Sequence, residues 1–158
     1  MKIRRAVPAE AEECWNIRNQ AIRHGCKNSY DDAVIAAWTP PGMPESFRNV
    51  IAANPFFVID GPDNRPVATG FLDLASGSVE AVFTLPQYTG QGLGGQIIEA
   101  IKKEARERGF KQLTLSSTPN ACTFYQKHGF RLVRESMYPS ALARAELRCM
   151  EMSITLRE

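Results

Sequence analysis

Apolar and polar positions alternate from Ser78 to Leu85, where Val79, Ala81, Val82 and Phe83 sit among β-branched and apolar neighbours, and this predicts a strand. Leu93, Ile97, Ile98, Ile101 and Ala105 then recur at helical spacing with charges between them, and Gly109 supplies a C-terminal stop. Upstream, Lys2 to Val7 reads as a short strand. Pro8 opens a helix with Glu10, Glu12 and Glu13 in its acidic first turn and Ala11, Trp15 and Ile22 facing a core. A second helical piece is predicted from Ser29 to Trp38, ended by Pro40-Pro41, and a third from Pro44 to Ala53. Phe56 to Ile59 and Pro66 to Leu74 form a hairpin around the turn Asp60-Gly61-Pro62-Asp63-Asn64, and Gly77 turns the chain into the strand at 78–85. After the long helix come a strand at 111–116, a short helix from Asn120 to His128 stopped by Gly129, and closing strands at 130–135 and 146–156 with a loop between. This order predicts a single α/β (α+β mixed) domain over residues 1–158, a central mixed, mostly antiparallel sheet flanked by helices.

Between the strand and the long helix lies Gly90-Gln91-Gly92-Leu93-Gly94-Gly95. A chain that runs through glycines into a helix leaves the first helical N–H groups unpaired and pointing forward. With the positive end of the helix dipole they make a phosphate or pyrophosphate site, and glycine lets the ligand approach the backbone. As letters, the stretch also fits the dinucleotide fingerprint. That fingerprint belongs to a first βαβ unit and needs an acidic residue at the end of the next strand, which here ends in Ser116-Ser117. A nicotinamide-dependent oxidoreductase is disfavoured on that ground, and without G-K-[ST] a P-loop is unsupported.

Composition narrows the class further. A hydrophobic content of 44% and a charged content of 23% describe an ordinary globular balance. The net charge of +2, with basic residues scattered, gives no reason to expect nucleic acid as a partner. Cys14, Cys26, Cys122 and Cys149 lack metal-ligand spacing and His24 and His128 do not cluster with them, so no metal is expected and the thiols fit a reducing compartment. There is no signal-like or membrane-spanning apolar run, which makes the cytoplasm the expected location and a membrane partner unexpected.

Two motifs together identify a resemblance. Val82 to Gly94, with Pro86-Gln87-Tyr88-Thr89 leading into the glycines, resembles the acetyl-CoA motif of the Gcn5-related N-acetyltransferases (GNAT). Ala121-Cys122-Thr123-Phe124-Tyr125-Gln126-Lys127-His128-Gly129-Phe130 is similar to that family's second signature, A-x-x-F-Y-x-x-x-G-F. The resemblance implies a GNAT-like fold and direct transfer of an acetyl group from acetyl-CoA, as cosubstrate, to the primary amine of a small-molecule or protein acceptor. A catalytically silent CoA-binding sensor is the alternative. A homodimer is an option, because dimers are common in the family.

The resemblance further implies that Val82, Phe83 and Thr84 offer main-chain groups to the pantetheine arm, and that Thr89, Gly90, Gln91, Gly92, Leu93, Gly94 and Gly95 hold the pyrophosphate. Thr89 stands where the family carries Gln or Arg. Thr118 stands where relatives often carry Asn, and Asn120 is a nearby substitute. Tyr125 would lie close to the cofactor sulfur and protonate the departing thiolate. A tyrosine near pKa ~10 is a weaker acid than a thiol near ~8.5, so full transfer is uphill by about 2 kcal/mol and hydrogen-bond donation is the milder role. The same residue fits a plain core pattern, since Ala121, Phe124 and Tyr125 share one helical face. Glu80 is the candidate base for the acceptor amine, on a strand face with Val82 and Thr84 and opposite Ala81. Tyr30, Trp38 and the turn from Pro40 to Pro44 fall in the region that walls the acceptor site in the family, and Cys122 falls near the sulfur site as an inert thiol.

Overall fold

The computed structural model describes residues 1–156. Its strands are β1 (Ile3–Arg5), β2 (Phe56–Asp60), β3 (Pro66–Asp73), β4 (Ser78–Thr84), β5 (Gln112–Ser117), β6 (Arg131–Ser140) and β7 (Ala145–Thr155). Its α-helices are α1 (Ala11–Gly25), α2 (Asp32–Trp38), α3 (Glu45–Ala53), α4 (Leu93–Glu107) and α5 (Cys122–Lys127). One sheet runs β1-β2-β3-β4-β5-β7-β6, antiparallel except where β4 meets β5. The mixed, mostly antiparallel sheet expected from the sequence is therefore present.

α4 lies on one face. Ile97, Ile98, Ile101 and Ala105 are fully buried against Ile59, Ala68, Leu72 and Leu113, which satisfies the helical period read from the sequence. Burying each such aliphatic chain contributes about 1.5–3 kcal/mol. Gly70 on β3 permits the close approach, because a Cβ there would run into Ile97 Cγ2. α1 and α3 cover the opposite face, where Ala11, Cys14 and Ile51 pack on Phe56, Val58 and Phe71. Ile22, Cys26 and Ile35 form a separate cluster under α2.

Two departures from the sequence pattern shape the site. β4 is not a regular strand: the register against β3 slips between Thr69 and Phe71, and Ala81 takes φ +53°. Thr69 Oγ1 donates to Ala81 O at 2.8 Å and fixes this bulge. A bulge increases local twist and turns the strand away from its neighbour. β4 accordingly meets β5 only at Ser78↔Thr114 and then diverges from it, so the two strands form an open V. Alternation also fails across the bulge. Glu80 pairs with Phe71 and shares its α1-side face with Ala81, whereas Val82 packs on the α4 side.

The second departure is the closing hairpin. β6 continues well past Glu135 to Ser140, and β7 begins at Ala145, leaving a tight turn in which Arg144 takes φ +53°. Cross-strand pairing from Arg131↔Ser153 to Ser140↔Ala145 builds the strand where local sequence signals are weak. The hairpin brings its far end back toward α1 and α2. The helix expected from Ser29 starts instead at Asp32, because the preceding N–H groups of Ser29 and Tyr30 turn back to Cys26 O.

Candidate active site

The glycine loop opens a depression of about 590 Å³ bordered by Val82, Thr84, Thr89, Gly90, Gly92 and Gly94. The first bond of α4 runs from Gln96 N–H to Gly92 O at 3.1 Å, so the N–H groups of 90–95 have no backbone acceptor among the described residues. Gly90 and Gly92 take φ +79° and +78°, and a Cβ on either would meet nothing within 4 Å. Open space therefore lies in front of the donors at the positive end of a 15-residue helix. Gly94 and Gly95 have a different reason to be glycine: a Cβ there would come within 3.0 Å of Phe124 and 2.9 Å of His128 on and just after α5. Leu93 sends its side chain into the core, and Gln91 is exposed. Thr89 Oγ1 donates to Pro86 O at 2.9 Å, closing the turn that leads into the loop.

A cavity of about 390 Å³ continues from this depression into the V between β4 and β5, and Val82, Thr84 and Thr89 border both. Phe83 and Thr84 pair with β3 on one side only, Val82 lies in the bulge between the paired segments, and all three line the cavity on the side where β5 has diverged. Glu80 and Tyr125 both line it. Glu80 keeps an exposed surface, but the protein packed around it strips part of its hydration, and this desolvation raises its carboxyl above the usual range. A hydrogen bond from Ser78 Oγ to Glu80 Oε2 at 2.8 Å works against that shift, and the charge of Asp73 adds to it. Ser78 Oγ lies 2.7 Å from Ser76 Oγ, which donates to Asp73 Oδ2 at 2.5 Å. A chain of hydroxyls thus leads from Glu80 to an exposed turn.

Tyr125 is 9% exposed, and burial first, then the nearby Glu80 charge, hold its phenol above the ordinary tyrosine range. It is a standing hydrogen-bond donor and a poor proton source. Its ring packs edge-on to Phe124 and Phe130, so the core and the cavity share this residue.

Tyr30 and Trp38 form the wall across from the strands, their rings 5.7 Å apart at 89°. Tyr30 Oη donates to Arg148 O at 2.6 Å and staples the α1–α2 turn to β7. Asn120 lines the cavity as well, but its Oδ1 accepts from Cys26 Sγ at 3.5 Å and Ser29 Oγ at 3.4 Å. The Pro40–Pro44 turn is not part of the wall. Pro40 O accepts from Trp15 Nε1 and Asn19 Nδ2, each at 2.8 Å, and so anchors the turn behind α1. Cys122 packs against the α4-side core, and the thiols that border the cavity are Cys26 and Cys149, both raised by burial. Tyr138, Leu147 and Cys149 reach the cavity only because the long hairpin carries them there, which no local sequence signal announces.

A wider, shallower depression of about 750 Å³ lies between α4 and the β1–β2 side. Its lining mixes Glu99, Glu104 and Glu107 with Lys103, and Glu99 is paired with Lys102 and Glu104 with Arg5 and Arg108. Among the described residues there is no group of acidic, His and Cys side chains able to hold a metal ion, and no helix long and apolar enough to cross a membrane.

Comparison with known proteins identifies the fold and the family. An uncharacterized acetyltransferase of Streptococcus pyogenes serotype M1 is 35% identical over 95 residues, covering 54% of this chain and 66% of the relative. The chain thus spans just under two thirds of that relative's length. A GCN5-related N-acetyltransferase structure from Rhodopseudomonas palustris superposes with TM-score 0.88 at 20% identity, covering 98% of this chain and 95% of that one. PaiA N-acetyltransferase from Thermoplasma acidophilum, solved in complex with coenzyme A, superposes with TM-score 0.78 at 16% identity, covering 98% of each chain. The sequence profile of the acetyltransferase (GNAT) domain matches residues 26–156, and the chain belongs to that family.

Proposed function

We propose that this chain transfers the acetyl group of acetyl-CoA directly to a primary amine. The observation that carries the reading is one continuous cleft that begins at unpaired backbone donors, runs along the free edge of β4, and ends between Glu80 and Tyr125. The N–H groups of 90–95 bind the pyrophosphate, and the free edge of Val82–Thr84 pairs with the pantetheine amides as an added strand would. A backbone N–H of the same edge polarises the thioester carbonyl. Coenzyme A in the structural relative from Thermoplasma acidophilum supports the same ligand here.

Glu80 removes the proton that a lysine-like amine must lose before it attacks; at pH 7 that loss costs about 4–5 kcal/mol. Its raised carboxyl suits a base better than an ordinary glutamate does. Once Glu80 holds the proton its bond to Ser78 reverses: Glu80 donates to Ser78 Oγ, Ser78 to Ser76 Oγ and Ser76 to Asp73 Oδ2, which carries the proton toward the exposed turn. Tyr125 donates a hydrogen bond to the departing sulfur and stays a phenol, because its pKa is raised. Thr89 and Asn120 contribute to the walls, the latter by holding the α1–α2 turn beside the cleft.

The four cysteines are free thiols, which supports a reducing, cytoplasmic setting for this activity. A homodimer remains part of the proposal: Leu132, Val133 and Met137 on edge strand β6 are about half exposed, and light scattering would read a mass of twice 17.6 kDa. The activity itself is tested by thiol release from acetyl-CoA in the presence of primary amines. Amine-dependent release supports transfer; acetyl-CoA binding without release under any amine would leave a CoA-binding module in its place.

A further inference from the structure

Resting on the acetyl-transfer reading, we infer that the acceptor is a primary amine carried on an aromatic or otherwise apolar body that bears no carboxylate or phosphate, an arylalkylamine being the simplest form. Tyr30, Trp38, Tyr138 and Leu147 line the cavity together with Glu80. Ring faces and an aliphatic chain favour a flat, apolar body.

Charge decides the rest. Among the described residues that line the cavity there is no lysine or arginine. Arg18, Arg23 and Arg148 on the neighbouring elements are engaged elsewhere. Arg18 stacks 4.3 Å over Trp15 and 5.7 Å from the Trp38 ring, and donates to Asn19 Oδ1 and Trp38 O. Arg23 donates to Thr39 Oγ1 and O, and Arg148 is paired with Glu135. His24 stands at the exposed rim, and Tyr30, Cys26 and Cys149 are held in their neutral forms by burial. An amino acid would bring a carboxylate that no lysine or arginine of the lining meets, and a site without that partner disfavours it. A polyamine would bring further ammonium groups, and Glu80 is the one carboxylate among the lining residues.

The transfer is balanced. The ammonium loses a proton toward Glu80, the amine nitrogen bonds to the acetyl carbon, the carbon–sulfur bond breaks, and the products are the amide, free CoA and one proton.

The test uses the whole chain, acetyl-CoA and three acceptors: phenethylamine, L-phenylalanine and spermidine. L-Phenylalanine adds a carboxylate to the same ring and amine, and spermidine replaces the ring with further ammonium groups. Phenethylamine is expected to give kcat/KM about tenfold or more above both others. Tyr138→Ala, at a half-exposed edge position, is expected to raise its KM about fivefold while leaving acetyl-CoA affinity within about twofold. Calorimetry on the same sample separates the failures. Absence of acetyl-CoA binding overturns the transferase reading and this inference with it. Binding accompanied by equal or better use of L-phenylalanine or spermidine, or by turnover of none of the three, overturns this inference alone.

Discussion

Ser78 Oγ donates a 2.8 Å hydrogen bond to Glu80 Oε2, two residues along β4 and just before the bulge at Ala81. The bond stabilises the ionised carboxylate, so it holds down a pKa that burial raises. Ser78→Ala removes that support and the first hydroxyl of the path to Asp73. The acidic limb of the kcat/KM profile in the thiol-release assay is expected to move to higher pH, with a lower plateau. A limb that stays in place would separate Ser78 from the chemistry.

Glu80→Gln removes the base itself, and kcat is expected to fall by about a hundredfold or more. Stability should move the other way. A carboxyl whose pKa is raised in the fold favours folding while protonated and loses that contribution as pH rises through its folded pKa. The glutamine variant should therefore melt higher than wild type at neutral pH, with the gain vanishing in acid. Melting curves across pH check the sign, and a variant that is less stable at neutral pH would contradict it.

Tyr125→Phe deletes the donor and keeps the ring against Phe124 and Phe130. We expect kcat to drop by about ten- to a hundredfold with acetyl-CoA affinity unchanged. Because burial and Glu80 both raise this phenol, no alkaline limb attributable to its ionisation is expected below about pH 10. Unchanged turnover would confine Tyr125 to the core.

Gly70→Ala would press a Cβ into Ile97 Cγ2, with Val82 Cγ2 at 3.2 Å on another side. Overpacking at this β3–α4 contact should cost about 1–3 kcal/mol, read as a lower denaturant midpoint at unchanged slope. A neutral outcome would mean that α4 can shift on the sheet.

Much of this architecture was legible because periodicity reports burial directly. Leu93, Ile97, Ile98, Ile101 and Ala105 announced α4 and the face it buries, and Gly90 and Gly92 announced the loop before it. The bulge at Ala81 left no such mark. Alanine rarely takes positive φ, and only the slipped pairing with β3 imposes it, so the face assigned to Glu80 by simple alternation was wrong. The same holds for the cavity wall. Tyr30 and Trp38 line it, and Tyr138, Leu147 and Cys149 join them through the β6–β7 hairpin, a long-range pairing without a local signature. Cys122, expected as an inert thiol, packs against the α4-side core, and the thiols that line the cavity come from distant elements.

The central claim is that the glycine loop and the V of β4 and β5 hold acetyl-CoA, and calorimetric titration of acetyl-CoA into wild type and Gly92→Trp tests it most directly. Gly92 takes φ +78° with nothing within 4 Å of a Cβ, so the variant should fold at a cost of about 1–2 kcal/mol while its indole covers the backbone donors. The account predicts saturable binding to wild type and none to a Gly92→Trp protein that still melts cooperatively. Equal binding to both proteins, or none to wild type, would contradict it.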